Sequence, residues 1–506
     1  MMVGKRQELN IALLARDLSL ISEKYANWNI FGNTFLKIGK PTTENLRPYI
    51  LHNGRFKLVK LLISLTLFIP LLVGHTLREI ARAIYFKSEN SLLKNESNSS
   101  DFLFLSHYTQ APQNYLEDNY FGSIPFQLNS TKKRSAIFLL NHTRRKGSAI
   151  SAEFDEGGPV NYYVNPKALK LQELIVYLKG QFPGALHMLL GAIGRSQLDL
   201  RQRLLAVDAS IKQFSRPTFA AIILVANLER VLKQIEPKHV VLTFEGHSFE
   251  VLASRMIHNK FPGIKVSLFQ YAPIVKDQFG LIGTLKALGS SDMVLTTGPT
   301  VKNYFEKEVH EIAGQIRILG SPKALKIPES KDYNFNSLTK NSVCLFAPEA
   351  SRDAFDEMLH LAYETSLALK EKKFILRLHP AFHFDKKKMF LAVSMFPSNL
   401  TLSSNTLEED LRLSGFCVYR STAVAIQGLI YGVRPIHFSS ISGNGLDPLA
   451  ITSLVHERLS QESELISYLE WASTAKASPV APTLSEMRST YEEYFHPLDP
   501  RVLNDL

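Results

Sequence analysis

Between Phe102 and Phe438 the chain alternates short apolar runs with longer stretches of helical spacing, a rhythm that few folds accommodate. The series is clearest from Val240 onward. Val240-Val-Leu-Thr-Phe244 reads as a strand, Ser248 to Asn259 as a helix, and Val266 to Tyr271 as the next strand. Met293 to Thr297 leads into a helix over Thr300–Val309, and Ile316 to Leu319 ends at Gly320-Ser321-Pro322. Alternation at this spacing predicts parallel sheet built from βαβ crossovers. After a polar stretch from Lys323 to Asn341 the rhythm starts again. Val343 to Phe346, Phe374 to Leu378, Leu400 to Leu402 and Gly415 to Arg420 read as strands, and Pro435 to Phe438 closes the sheet. Helices over Asp353–Glu371, Thr406–Leu413 and Ala423–Tyr431 fall between them.

A chain of 506 residues is too long for one ordinary core, and the repeated rhythm predicts two Rossmann-like α/β domains facing a cleft. The boundary is placed at Gly-Ser-Pro, giving residues 1–322 and 323–480, with a C-terminal helix and tail over 481–506. Upstream, Phe102 to Ser106 and Ala136 to Leu140 read as strands with a helix within Asn114–Leu128. Gly147 to Asn165 reads as loop, Leu169–Gly180 and Leu198–Gln213 as helices, and Thr218–Ile235 as a long buried helix. Ile11 to Leu14 reads as a strand and Ser91 to Asp101 as an exposed loop. Near the end, Glu462–Ala475 and Leu484–Tyr494 have helical spacing.

The segment Phe56–Phe86 has an apolar centre, Leu61 to Gly74, interrupted by Pro70 and flanked by Lys57, Lys60, Arg78 and Arg82. Spanning a bilayer takes roughly twenty apolar residues, more than this centre supplies. A helix packed into the first domain, an interfacial membrane helix and a true span all remain open for it. The basic flanks suit peripheral contact with an anionic membrane. With no signal peptide visible and only Cys344 and Cys417, both in apolar runs, the expected compartment is the cytoplasm or the inner face of its membrane. The net charge of +11 permits nucleic acid as a partner, but no helix-turn-helix, zinc spacing or RNA-binding aromatic motif accompanies it. An anionic substrate or surface fits better.

Chemistry-bearing residues stand at strand ends. Glu245 follows the Val240 strand and precedes Gly246, which permits a tight turn. It is a candidate general base if burial raises its pKa toward working pH, or a capping carboxylate if not. Glu250 falls on the next helix, as a structural group or a sugar-hydroxyl contact. His379-Pro380 ends the Phe374 strand, and a histidine there sits where α/β sheets bind ligands. Arg377 shares its face if the strand is regular, either assisting or held in an ion pair. Ser421-Thr422 begins a helix, a place that favours anions, so His379, Ser421 and Thr422 are expected to hold a nucleotide phosphate. No Walker A or dinucleotide fingerprint occurs, and no Asp-X-Asp element stands where a metal-dependent sugar transferase would need it. No metal and no cofactor beyond a nucleotide-sugar co-substrate are expected.

Glu245-Gly246, His379-Pro380 and Ser421-Thr422, in that order, resemble the motifs of GT-B glycosyltransferases of bacterial surface polysaccharide biosynthesis. The likeness is to the surface-carbohydrate biosynthesis proteins and to the CMP-sugar-dependent sialyltransferase and Kdo-transferase groups, over roughly Phe102 to Phe438. It departs from them at Phe244, where the acidic-Gly motif often carries a first acidic residue. The resemblance implies Glu245 as base, His379 on the CMP phosphate, Ser421 and Thr422 completing that site, and a C-terminal helix crossing back to the first domain. It implies transfer of a nonulosonic acid or Kdo to a glycan or lipid-linked acceptor. A CDP-glycerol-type polyol-phosphate transferase, a UDP- or GDP-sugar enzyme and an inactive assembly scaffold are the alternatives.

Overall fold

The computed structural model describes helical residues scattered through 70–84 and most of 99–504. Its larger omissions are 110–115, 155–159, 195–202, 211–215, 276–280, 286–291, 327–342, 380–395, 440–446 and 475–481. The strand at Ile11, most of Phe56–Phe86, most of the helix over Leu198–Gln213, and Pro380 lie outside the described residues.

Two parallel sheets carry the chain. The first has seven strands: β1 (Phe102–Tyr108), β2 (Ser135–Asn141), β3 (Asn161–Val164), β4 (His239–Thr243), β5 (Lys265–Gln270), β6 (Met293–Thr296) and β7 (Ile316–Ile318). Their order is β3-β2-β1-β4-β5-β6-β7, so the winding reverses between β1 and β4. The second sheet has six: β8 (Val343–Ala347), β9 (Phe374–Leu376), β10 (Leu400–Leu402), β11 (Ser414–Tyr419), β12 (Arg434–Phe438) and β13 (Glu457–Leu459). Its order, β10-β9-β8-β11-β12-β13, reverses between β8 and β11. Both sheets are doubly wound α/β units. The central strands are apolar and buried throughout because helices cover both faces of a parallel sheet.

The helices are α1 (Ile124–Ser130), α2 (Gly147–Phe154), α3 (Leu171–Ile193), α4 (Arg216–Ile235), α5 (Ser248–Lys260) and α6 (Pro299–Glu308) in the first half. The second half has α7 (Arg352–Ala368), α8 (Leu407–Leu413), α9 (Val424–Gly428), α10 (Glu462–Thr474), α11 (Leu484–Tyr494) and α12 (Arg501–Asn504). Several expectations need correction. Gly147–Asn165 is not loop but holds α2 and the edge strand β3, which pairs with β2 from Ala136↔Asn161. β12 does not close the second sheet, since the three-residue β13 pairs outside it. Strand β9 stops at Leu376, two residues short of the expected Leu378, so the backbone has left the ladder before His379.

The chain's last elements return to the first sheet. The Tyr494 hydroxyl accepts from the Ile274 amide (2.8 Å) and donates to its carbonyl (3.1 Å). Beyond α11 the tail hydrogen-bonds to the ends of β6 and β7: His496 N to Thr297 O, Ser321 N to His496 O, and Asp499 N to Leu319 O, at 2.8–2.9 Å. Tyr491 pins the start of the inter-sheet connection, accepting from the Leu325 amide (2.5 Å) and donating to the Lys323 carbonyl (2.9 Å). Apolar residues of both halves, among them Phe244, Tyr419, Tyr431 and Tyr491, share one core cluster. Among the described residues no helix is long and apolar enough to cross a membrane.

Candidate active site

The carboxyl ends of β1, β4 and β5 carry the first cluster, beside the point where the winding of the first sheet reverses. Such a point leaves a crevice between crossovers that run to opposite faces, and ligands of doubly wound sheets bind there. After β4 and buried Phe244 come Glu245 and Gly246, whose φ of 80° is the left-handed conformation that glycine adopts without strain. The turn delivers His247 as the N-cap of α5. Glu250, in the first turn of that helix and fully buried, reaches back to accept the amides of His247 (2.6 Å) and Glu245 (2.9 and 3.2 Å). Glu250 is therefore the clamp that fixes the turn. Burial raises its carboxyl to about 8, against the pull of His247 and the two amides.

Glu245 keeps 27% of its side-chain surface exposed, and its Oε2 lies 3.1 Å from His247 Nε2. Desolvation pushes its pKa up, but the His247 hydrogen bond and charge, His107 and the Tyr271 hydroxyl outweigh it and hold the group at about 2. The expected rise toward neutrality thus falls on Glu250, while Glu245 is ionised. Rings surround the carboxylate: His107 and Tyr120 lie 4.9 Å apart, Tyr120 and Tyr271 meet edge-to-face at 4.7 Å, and Phe249 stacks on His247 at 5.6 Å. Burial lifts the Tyr120 phenol to about 12, with Glu245 and Asp118 adding to it.

His107 was not among the expected residues. It sits near the carboxyl end of β1, 6% exposed, with Nε2 2.9 Å from Thr243 Oγ1 and Nδ1 2.7 Å from His142 Nε2. Desolvation and then His142 press its pKa down to about 3, so the ring is neutral. The signal was present, because a histidine ending a strand is the reason His379 was singled out. Lys323, at the start of the inter-sheet connection, has its ammonium pulled down by burial, with Glu245 opposing.

The second cluster lies on the carboxyl edge of the second sheet. Half-buried His379 follows β9, and Ser421 with the buried Thr422 follows β11. Strand β8 lies between β9 and β11, which sets those two strands about 10 Å apart across the sheet. Thr422 Oγ1 accepts from the Val424 amide at 3.4 Å. The expected helix over Ala423–Tyr431 is five residues of α9 followed by a 3-10 turn, Leu429–Tyr431. So short a helix has little macrodipole, and an anion there would depend on the hydroxyls and local amides.

Arg377 was expected either to assist at the donor phosphate or to be held in an ion pair, and it makes the ion pair. Its Nη1 contacts buried Asp410 at 2.6 Å and the Asn405 carbonyl at 2.9 Å, and Asp410 also accepts from Ser403. It anchors the turn between β10 and α8. Behind β11, Asp447 accepts from Tyr419 (2.7 Å), Arg458 (2.9 Å) and the Leu449 amide (2.9 Å), and lies 2.8 Å from His456 Nε2. Burial opposes its ionisation, but His456, His437 and Tyr419 hold it well below the usual carboxylate range. Among the described residues no group of three histidine, cysteine or acidic side chains is arranged to hold a metal ion.

No family model matches the chain, and no curated protein matches it. Among solved structures it is similar to the UDP-GlcNAc 2-epimerase of Methanocaldococcus jannaschii in complex with UDP-GlcNAc and UDP, at 12% identity and TM-score 0.44. That alignment covers 80% of this chain and 99% of the epimerase. The glycosyltransferase SnogD of Streptomyces nogalater gives 10% identity, 81% and 100% coverage and a TM-score of 0.46. At these values neither likeness decides activity or ligand.

Proposed function

We propose that the chain is a metal-independent glycosyltransferase that moves a sugar, a nonulosonic acid or Kdo, from a CMP-activated donor to a growing surface glycan such as capsule, O-antigen or lipopolysaccharide. The single observation behind this reading is the placement of two groups. An ionised carboxylate, Glu245, lies at the reversal point of the first sheet, and His379, Ser421 and Thr422 flank the reversal point of the second. These are the positions where doubly wound sheets bind ligands.

In this reading Glu245 takes up the acceptor hydroxyl's proton as that oxygen attacks the anomeric carbon. A carboxylate held near 2 is a weak base alone, and His247 at 3.1 Å is placed to share the incoming proton. Tyr120 and Tyr271 offer apolar ring faces with polar rims, which suit a sugar. His379 neutralises charge on the departing nucleotide phosphate, and the Ser421 and Thr422 hydroxyls bind its oxygens. Cys344 and Cys417 are free and buried, which fits a reducing compartment and therefore the cytoplasmic side.

Thermal stabilisation by CMP, CDP, UDP and GDP tests the reading, because a ligand that binds only the folded state raises Tm by mass action. CMP should raise Tm in the wild type and not in His379→Ala. A UDP, GDP or CDP preference would replace the assigned donor, and no response to any nucleotide would favour an inactive scaffold.

A further inference from the structure

Of the fourteen large apolar side chains that the described residues leave exposed, nine lie on two helical segments. Six are on α3: Leu171, Ile175, Val176, Phe182, Leu186 and Leu190. At about 100° per residue they fall within an arc of roughly 140° on one side of a helix about 35 Å long. The other three are Val73, Leu77 and Ile84. The two segments are neighbours, since Ile80 and Leu178 pack into the same small core as Leu174, Phe219 and Ile222. The buried side of α3 is thus already used against α4, and its exposed apolar side is a separate surface.

The sequence in and around these segments is basic. Residues 56–86 and 166–204 contain ten lysines and arginines against three acidic residues, a net +7 out of the chain's +11. Arg78 and Lys179 are exposed within the two segments. We infer that this face of α3 and the 70–84 segment is a docking surface for an anionic lipid bilayer, on which the protein lies without crossing. Exposed apolar side chains on basic segments are what an interfacial helix presents to anionic headgroups, with the apolar side chains entering the acyl boundary and the cations remaining at the phosphates. A second copy of the chain fits less well, because it would bring two net-positive faces together. None of its residues belongs to either candidate cluster, and the inference goes beyond the transferase reading, so either can fail without the other.

The test is co-sedimentation of the full chain with phosphatidylcholine vesicles, with and without phosphatidylglycerol. Wild type should pellet with the anionic vesicles only and should be released by salt. The double variant Val176→Glu/Leu190→Glu should lose at least about tenfold in binding. Val455→Glu, an exposed apolar position elsewhere, should bind as wild type. Circular dichroism checks that each variant is folded. Wild-type binding that ignores lipid charge, or a folded double variant that still binds fully, overturns the inference. So does a wild-type dimer that the double variant splits while vesicles are ignored, which would assign the surface to self-association.

Discussion

Glu245 and Glu250 show how two carboxyl groups five residues apart acquire opposite electrostatics. Glu250 is sealed under the turn and pushed up to about 8, whereas Glu245 is held at about 2 mainly by His247. Glu245→Gln should therefore reduce transfer by about 10²–10⁴-fold in a radiolabelled-donor assay while keeping the nucleotide-induced Tm shift. A loss of both would mean that the turn itself had collapsed. Arg377 separates anchoring from binding in the same way. Arg377→Ala leaves buried Asp410 without its cation and should cost about 3–5 kcal/mol in urea unfolding. Its nucleotide response should survive in the folded fraction, unlike that of His379→Ala.

At the scale of elements, the C-terminal segment depends on close backbone approach. A Cβ on Gly320, which has φ +90°, would sit 2.2 Å from the Pro497 carbonyl oxygen. One on Gly298 would sit 2.4 Å from that of Glu493. Both contacts are with backbone and cannot be relieved by a rotamer change. Gly320→Ala should destabilise the protein by on the order of 2–3 kcal/mol and detach the tail, seen as faster amide exchange at Ser321, His496 and Asp499. Gly314→Ala, with nothing within 4 Å, is the control and should stay within about 0.5 kcal/mol of wild type.

For the whole molecule, buried neutral histidines set the acid limit. Desolvation depresses His107 to about 3, and His239 and His437 to about 4 each. A histidine with a lowered folded pKa supplies stability that is complete above its unfolded value near 6.5 and is lost as pH falls toward the folded value. Each should cost on the order of 2 kcal/mol by about pH 5, with Glu245 adding to the loss between about 4.5 and 2. Glu250 acts in the opposite sense, its raised pKa withdrawing stability as pH rises from about 4.5 through 8. A Tm profile should therefore fall steeply below about pH 6.5, and His107→Asn should flatten part of that fall.

The sequence by itself determined the two parallel sheets, because strand and helix periods are local and the apolar runs have no other buried arrangement. It also placed Glu245, His379 and Ser421-Thr422 at strand ends, since where a strand stops is written in the residues that follow it. Tertiary structure decided what those residues experience. The depression of Glu245 needs His247, His107 and Tyr271, and His107 and Tyr271 come from the carboxyl ends of two other strands. The role of Arg377 as an anchor needs Asp410, thirty-three residues away. The edge strands β3 and β13 were missed because their few residues gain strand character only from the neighbour they pair with. Charge, burial and pairing depend on which segments meet, and no window along the chain contains that information.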